Sequence, residues 1–264
     1  MLCGMLRTCT AWLPLLLFFS APAQAIVLAP LTEQGTYRRG FGEPSSFQIG
    51  SGGLVEELEA FVRVDGAPAA AILSTDPVPA GLALAFQAIL SDDGSDLLLR
   101  YELTNTGSES ITGLTFVSFL DVEIDEAINT FFNEYGEVEG VPAPGQGFEI
   151  DEPGYAFGDI YANALAGVLD GQNAVPASAP DDVSMALSFA VGPLAPGQAA
   201  RFELLISEDG DALGSLLLRQ RDTSALSDTV ITFSGRAAIV PEPGTALLIG
   251  LGIALLARAR AGRA

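Results

Sequence analysis

Gly81-Leu82-Ala83-Leu84-Ala85-Phe86-Gln87-Ala88-Ile89-Leu90, Ser91-Asp92-Asp93-Gly94-Ser95-Asp96, Leu97-Leu98-Leu99-Arg100-Tyr101-Glu102-Leu103-Thr104 decides the reading of the fold. Two apolar runs flank an Asp-Gly turn, the strongest short-range signal for a β-hairpin. In the second run Leu99, Tyr101 and Leu103 share one face while Arg100, Glu102 and Thr104 share the other, the period-two alternation of a strand with one buried side. Asn105-Thr106-Gly107-Ser108 follows, a turn of residues that tolerate left-handed backbone.

The same grammar recurs outward from this hairpin. Ile111 to Ile124 is β-branched and aromatic, with Phe116 and Phe119 as core candidates. Met185 to Val191, Arg201 to Ile206 and Thr229 to Phe233 read as further strands. Leu54 to Val64 fits two periods: Leu54, Leu58 and Phe61 suit a helix, whereas Leu58, Ala60, Val62 and Val64 suit a strand. Ala212 to Arg221 could form one short helix. Residues 136–154 and 170–182, rich in Gly, Pro, Asp and Ala, are expected to be long loops. Many short strands at turn-marked intervals predict an all-β, antiparallel β-sandwich, Ig-like or larger. Tyr101 to Ser108, with Leu194-Ala195-Pro196-Gly197-Gln198, is similar to segments of secreted bacterial Ig-like and larger β-sandwich domains.

Composition narrows the chemistry. The 264 residues carry 33 acidic and 12 basic side chains and no His, a formal net charge of −21, and every basic residue is Arg. Without His or Lys there is no Ser-His-Asp triad, Schiff base, His-ligated metal or P-loop lysine. The negative charge argues against nucleic acid, which needs cationic side chains to neutralise phosphates. Residues 26–239 hold 32 acids and 8 arginines, a net charge of −24.

The two ends read as addresses. Residues 1–25 have the form of a secretory signal peptide: Arg7, the apolar run Trp12 to Phe19, and a small-x-small cleavage site at Ala23-Gln24-Ala25. Cleavage there would start the mature chain at Ile26 and remove Cys3, Cys9 and Trp12, leaving no thiol for a disulfide or a metal. Residues 240–264 hold Val240-Pro241-Glu242-Pro243-Gly244, an apolar run from Thr245 to Ala257, and then Arg258, Arg260 and Arg263. The prolines stiffen an extended segment. The apolar run has the character of a transmembrane helix, and the arginines act as a positive-inside stop.

This tail resembles the PEP-CTERM sorting signal of Gram-negative bacteria that make exopolysaccharide. The resemblance implies recognition by an exosortase, transient anchoring in the inner membrane, processing near Pro-Glu-Pro, and sorting of residues 26–239 to the outer surface or extracellular matrix. Exopolysaccharide is the partner that this destination implies. The logic parallels a GPI signal, whose hydrophobic tail is temporary.

Within the central domain, Asp121, Glu123 and Asp125 fall on one face by period two. Three such oxygen donors would suit calcium, although the loop glycine of an EF-hand is absent. The plainer reading is a solvated strand face. A glycosidase needs two carboxylates and no His, and Asp121, Glu123, Glu134 and Asp159 could serve, but no spacing singles out a pair. Phe131, Phe132, Tyr135, Tyr155, Phe157 and Tyr161 could stack on sugar rings or fill the core. The leading expectation is a non-enzymatic structural or adhesive surface protein. The alternatives are a secreted carbohydrate-active enzyme using two carboxylates and a calcium-dependent glycan-binding module.

Overall fold

A computed structural model describes residues 31–39, 47–66, 71–125, 130–224 and 226–240. The proposed signal peptide, Pro241 to Pro243, the apolar tail and Arg258, Arg260 and Arg263 lie outside the described residues. Among the described residues thirteen strands, β1 (Tyr37–Arg38), β2 (Gln48–Ile49), β3 (Gly53–Val64), β4 (Ala71–Ile72), β5 (Leu82–Leu90), β6 (Asp96–Asn105), β7 (Leu114–Ile124), β8 (Glu134–Gly140), β9 (Gln146–Asp151), β10 (Ser184–Val191), β11 (Ala199–Ser207), β12 (Leu216–Asp222) and β13 (Val230–Val240), accompany a 3₁₀ turn at Phe131–Asn133 and one helix, α1 (Ile160–Ala166). All strand pairings are antiparallel. Sheet A runs β1-β3-β7-β10-β9, with β2 and β4 also on β3, and sheet B runs β5-β6-β11-β13-β12-β8.

The expected hairpin is β5–β6, in register from Leu82↔Asn105 to Leu90↔Leu97. Leu97, Leu99, Tyr101 and Leu103 point inward from sheet B and meet Leu58, Val62, Phe116, Leu120 and Leu187 of sheet A in one shared core. Its centre is aromatic. Phe116 stacks on Phe202 at 4.6 Å and 14°, and Tyr101 leans on Phe116 at 4.9 Å. The Tyr101 hydroxyl donates to the carbonyl of Gly35, so its single polar atom is satisfied inside the core. Tyr101→Phe removes that bond and orphans the buried carbonyl. A loss of about 1–2 kcal/mol is expected in urea denaturation.

The double periodicity of residues 54–64 has a structural cause. A bulge between Val55 and Glu57 shifts the register of β3 on β7, so inward residues run Val55, then Leu58, Ala60 and Val62. The opposite face is covered as well. Phe61, Val117, Phe119 and Ala186 on the outer side of sheet A are buried beneath Ile160 and Ala164 of α1. A strand with a bulge and two buried faces loses its clean alternation.

Two sequence expectations are corrected. Residues 212–221 do not form a helix, since β12 begins at Leu216. Leu216, Leu218 and Gln220 face inward, while Arg219 and Arg221 pair with Glu139 and Glu137 of β8. Three consecutive leucines carry no period, and the cross-strand ion pairs decide the outcome. Residues 136–154 are not one loop, because they contain most of β8 and all of β9. Residues 172–181 do form an irregular segment with a structural role. The amides of Ile150 and Ala174 bond to Gln172 and Ile150 carbonyls, Gly136 bonds to Val175, and Glu134 exchanges bonds with Asp181. This segment stitches β9 of sheet A to β8 of sheet B, covering both edges.

Candidate functional site: the acidic outer face of sheet A

Beside the apolar patch under α1, the outer face of sheet A is acidic. Alternation along β7 places Asp121 and Glu123 outward, continuing the row of Val117 and Phe119. Register sets Asp121 between Glu57 of β3 and Ser184 of β10. Asp182, two residues before β10 begins at Ser184, completes the group. One carboxylate oxygen from each of Asp121, Glu123 and Asp182 lies within 4.8 Å of the others. The Ser184 hydroxyl donates to Asp121 Oδ1 at 3.0 Å.

Asp121 is only 3% exposed. Burial pushes its carboxyl well above the usual range, and the neighbouring Asp182 and Glu123 push it further. Burial likewise raises Asp182 to about 6, helped by Asp181 and Glu152. An oxyanion cluster that resists ionisation in this way would be relieved by a divalent cation, and these three residues are the ones that could hold it.

Glu57 and Glu59, each 1% exposed, flank the trio on β3. Their oxygens are occupied. Arg38 pairs with Glu57 and reaches Glu59 at 3.5 Å. The Tyr155 hydroxyl donates to Glu57, the Tyr161 hydroxyl donates to Glu59 at 2.8 Å, and Ser74 also donates to Glu59. Burial raises Glu57.

Asp125 does not join Asp121 and Glu123. It lies one residue beyond the end of β7 at a φ of 54°, where its carboxylate accepts from Ser227 and its amide donates to Gly52. The period that links positions 121, 123 and 125 holds only while the chain stays extended. The third member is Asp182, remote in sequence and inside a segment read as loop. Only the pairing of β10 with β7 brings it in.

Of the four carboxylates considered for acid and nucleophile roles, Asp121 and Glu123 lie together on β7, whereas Glu134 and Asp159 have partners of their own. Glu134 sits between the sheets, fully buried. It accepts from the Ile124 amide at 2.7 Å and from the Gln220 side chain. Burial raises Glu134 to about 9. Asp159 stands at the N-cap position of α1 without a side-chain cap bond, and its carboxylate accepts from the Asn163 side chain. Glu149, Asp151 and Asp159 also converge, but Glu149 accepts from Asn163 and the Asp170 amide, and Asp151 from the Glu152 and Asp159 amides. That second group is a tether rather than an open ligand set.

Among the aromatics, the Tyr155 and Phe157 residues are exposed on the loop before α1, and Phe132 is exposed on its 3₁₀ turn. The Phe131 side chain lies outside the described residues. Tyr161 packs edge-on against Phe61 and Phe119. The eight arginines of the domain are all engaged: Arg63 donates to the Ala166 carbonyl, and the others pair with glutamates. At the other end of the domain, Val240 is the last residue of β13, opposite Ala199.

No protein-family model matches the chain, and no curated protein matches it. Among solved structures, the chain is similar over 61% of its length to a chain of the Trypanosoma brucei PRMT1 enzyme-prozyme heterotetrameric complex with AdoHcy, at 14% identity and a TM-score of 0.17. It spans 44% of that chain, and likeness at that level carries no argument about fold or activity. Among the described residues no helix is long and apolar enough to cross a membrane.

Proposed function

We propose that the chain is an exported β-sandwich protein, sorted by an exosortase to the cell surface or extracellular matrix, with a structural or adhesive role and no enzymatic one. In this reading residues 1–25 direct export across the inner membrane, residues 245–257 anchor the chain there transiently, and the Pro-Glu-Pro segment is where the anchor is exchanged or lost. The supporting observation is the position of the last strand. β13 stays paired to Val240, and Pro241, which has no amide to give a ladder, follows at once. A cut beyond Val240 therefore leaves both sheets whole. Occupied oxygens on Glu57, Glu59 and Glu134 favour a non-enzymatic role.

Fractionation of an exosortase-bearing host tests the sorting. Wild type should accumulate in the surface and medium fractions. A triple Pro241→Ala, Glu242→Ala, Pro243→Ala variant should stay with the inner membrane. Equal distribution of the two contradicts the reading.

A second reading is favoured by one observation, the convergence of Asp121, Glu123 and Asp182. Here the surface domain binds calcium on the outer face of sheet A, as part of a glycan-binding module. Millimolar calcium should raise the Tm by several degrees over chelator, because a ligand held only by the native state stabilises it. Asp182→Asn should abolish most of that increment. Superimposable melts with and without calcium remove this reading and leave the first intact.

A further inference from the structure

We propose that α1 is a proton-gated strap: with the Glu149 carboxyl protonated it lies shut over an apolar trough on the outer face of sheet A, and with Glu149 ionised it lifts. The trough is formed by Phe61, Val117, Phe119 and Ala186, and the strap covers it with Ile160 and Ala164. Tyr161 adds edge-on contacts at 5.7 Å to Phe61 and 5.5 Å to Phe119. Seven residues are too few to hold a helix without tertiary support. Its attachment therefore decides whether it stays.

One buried carboxyl supplies much of that attachment. Glu149, 1% exposed on β9, accepts from Asn163 Nδ2 at 2.9 Å in mid-helix and from the Asp170 amide at 3.0 Å just past it. The charged groups facing Glu149 are all acids. Asp159 approaches from the start of the helix and Asp170 from the chain beyond it, and Asp151 lies two positions along β9. On the neighbouring strand β10, the same face carries Ser184, Ala186 and Ser188, which have no charge. Arg63 of β3, which reaches the end of the strap, is bonded to the Ala166 carbonyl. Ionising Glu149 with the strap shut therefore leaves a desolvated anion among like charges, whereas lifting the strap returns it to water. Burial accordingly raises Glu149 from 4.5 to about 7, outweighing the hydrogen bonds from Asn163 and the Asp170 amide, which favour the anion, with the charges of Asp170 and Asp159 adding to the rise. The closed strap binds the proton more tightly than the open one, so closure is full below pH 4.5 and weakens as pH climbs through 7.

Hydrogen exchange of the intact domain, corrected for intrinsic rates, reads this directly. From pH 5 to 9 the opening equilibrium at 160–166 should grow on the order of a hundredfold, with these amides far less protected than those of β11 at every pH. In Glu149→Gln the dependence at 160–166 should vanish, whatever the level of protection, while protected β11 amides certify the fold. Protection at 160–166 equal to that of β11 at every pH, or a slope that survives in Glu149→Gln, overturns the proposal. If that variant does not fold, wild-type binding of a hydrophobic dye decides. A rise centred near pH 7 supports the strap, and a flat profile between pH 5 and 9 contradicts it.

Discussion

Raising the pH from 5 to 9 is expected to destabilise this domain by several kcal/mol. The cause is the set of carboxyls whose affinity for a proton burial raises. Glu134 is raised to about 9, Glu149 to about 7 and Asp182 to about 6, and Glu57 and Asp121 shift the same way. In the unfolded chain these groups ionise near 4.5 or below. Between those values the native state holds more protons than the unfolded state, so unfolding free energy falls as pH rises. The contribution is complete at about pH 4.5 and is lost progressively as pH climbs through 6, 7 and 9. Each unit of difference is worth about 1.4 kcal/mol, which makes Glu134 the largest single contributor, on the order of a few kcal/mol. Below pH 4 the trend reverses, because the Ser91 and Ser95 hydroxyls hold Asp93 down at about 2. Urea titrations across pH test this. Glu134→Gln keeps an acceptor for the Ile124 amide and should flatten the alkaline limb. An unchanged limb in that variant would assign the dependence to other groups.

Phe116→Ala should cost about 3–5 kcal/mol, enough to unfold a large fraction of the molecules if total stability is ordinary. Phe116 is fully buried at the junction of the two sheets. Its ring contacts Phe202 of sheet B face to face and Tyr101 at a tilt. Removing it opens a cavity that neither sheet can close without bending strands that are hydrogen-bonded on both sides. The midpoint in urea should fall with the slope unchanged. Phe116→Leu, which retains most of the volume, should lose far less. A loss below about 1 kcal/mol in the alanine variant would contradict a shared core.

The parts legible in the sequence are those governed by local pattern. The β5–β6 hairpin follows from an Asp-Gly turn between apolar runs, and Leu99, Tyr101 and Leu103 lie inward as their alternation requires. β8 was hidden because Glu134-Tyr135-Gly136-Glu137-Val138-Glu139-Gly140 has poor strand propensity, and it is held by Arg219 and Arg221 from a distant segment. α1 was hidden because Asp159 makes no side-chain cap bond. The available signal was Ile160 and Ala164 at i, i+4, stopped by Gly167 in left-handed backbone at φ 71°. Of the candidate cation ligands, Asp121 and Glu123 were legible from period two. Asp182 was not, since its place depends on the register of β10 against β7.

Sorting at Pro-Glu-Pro is the central functional claim, and the intact mass of protein released from the cell surface tests it most directly. The account predicts a chain that begins at Ile26 and contains β13 through Val240 but none of the residues from Leu247 to Arg263. A released form that still carries Leu247 to Arg263 would contradict it.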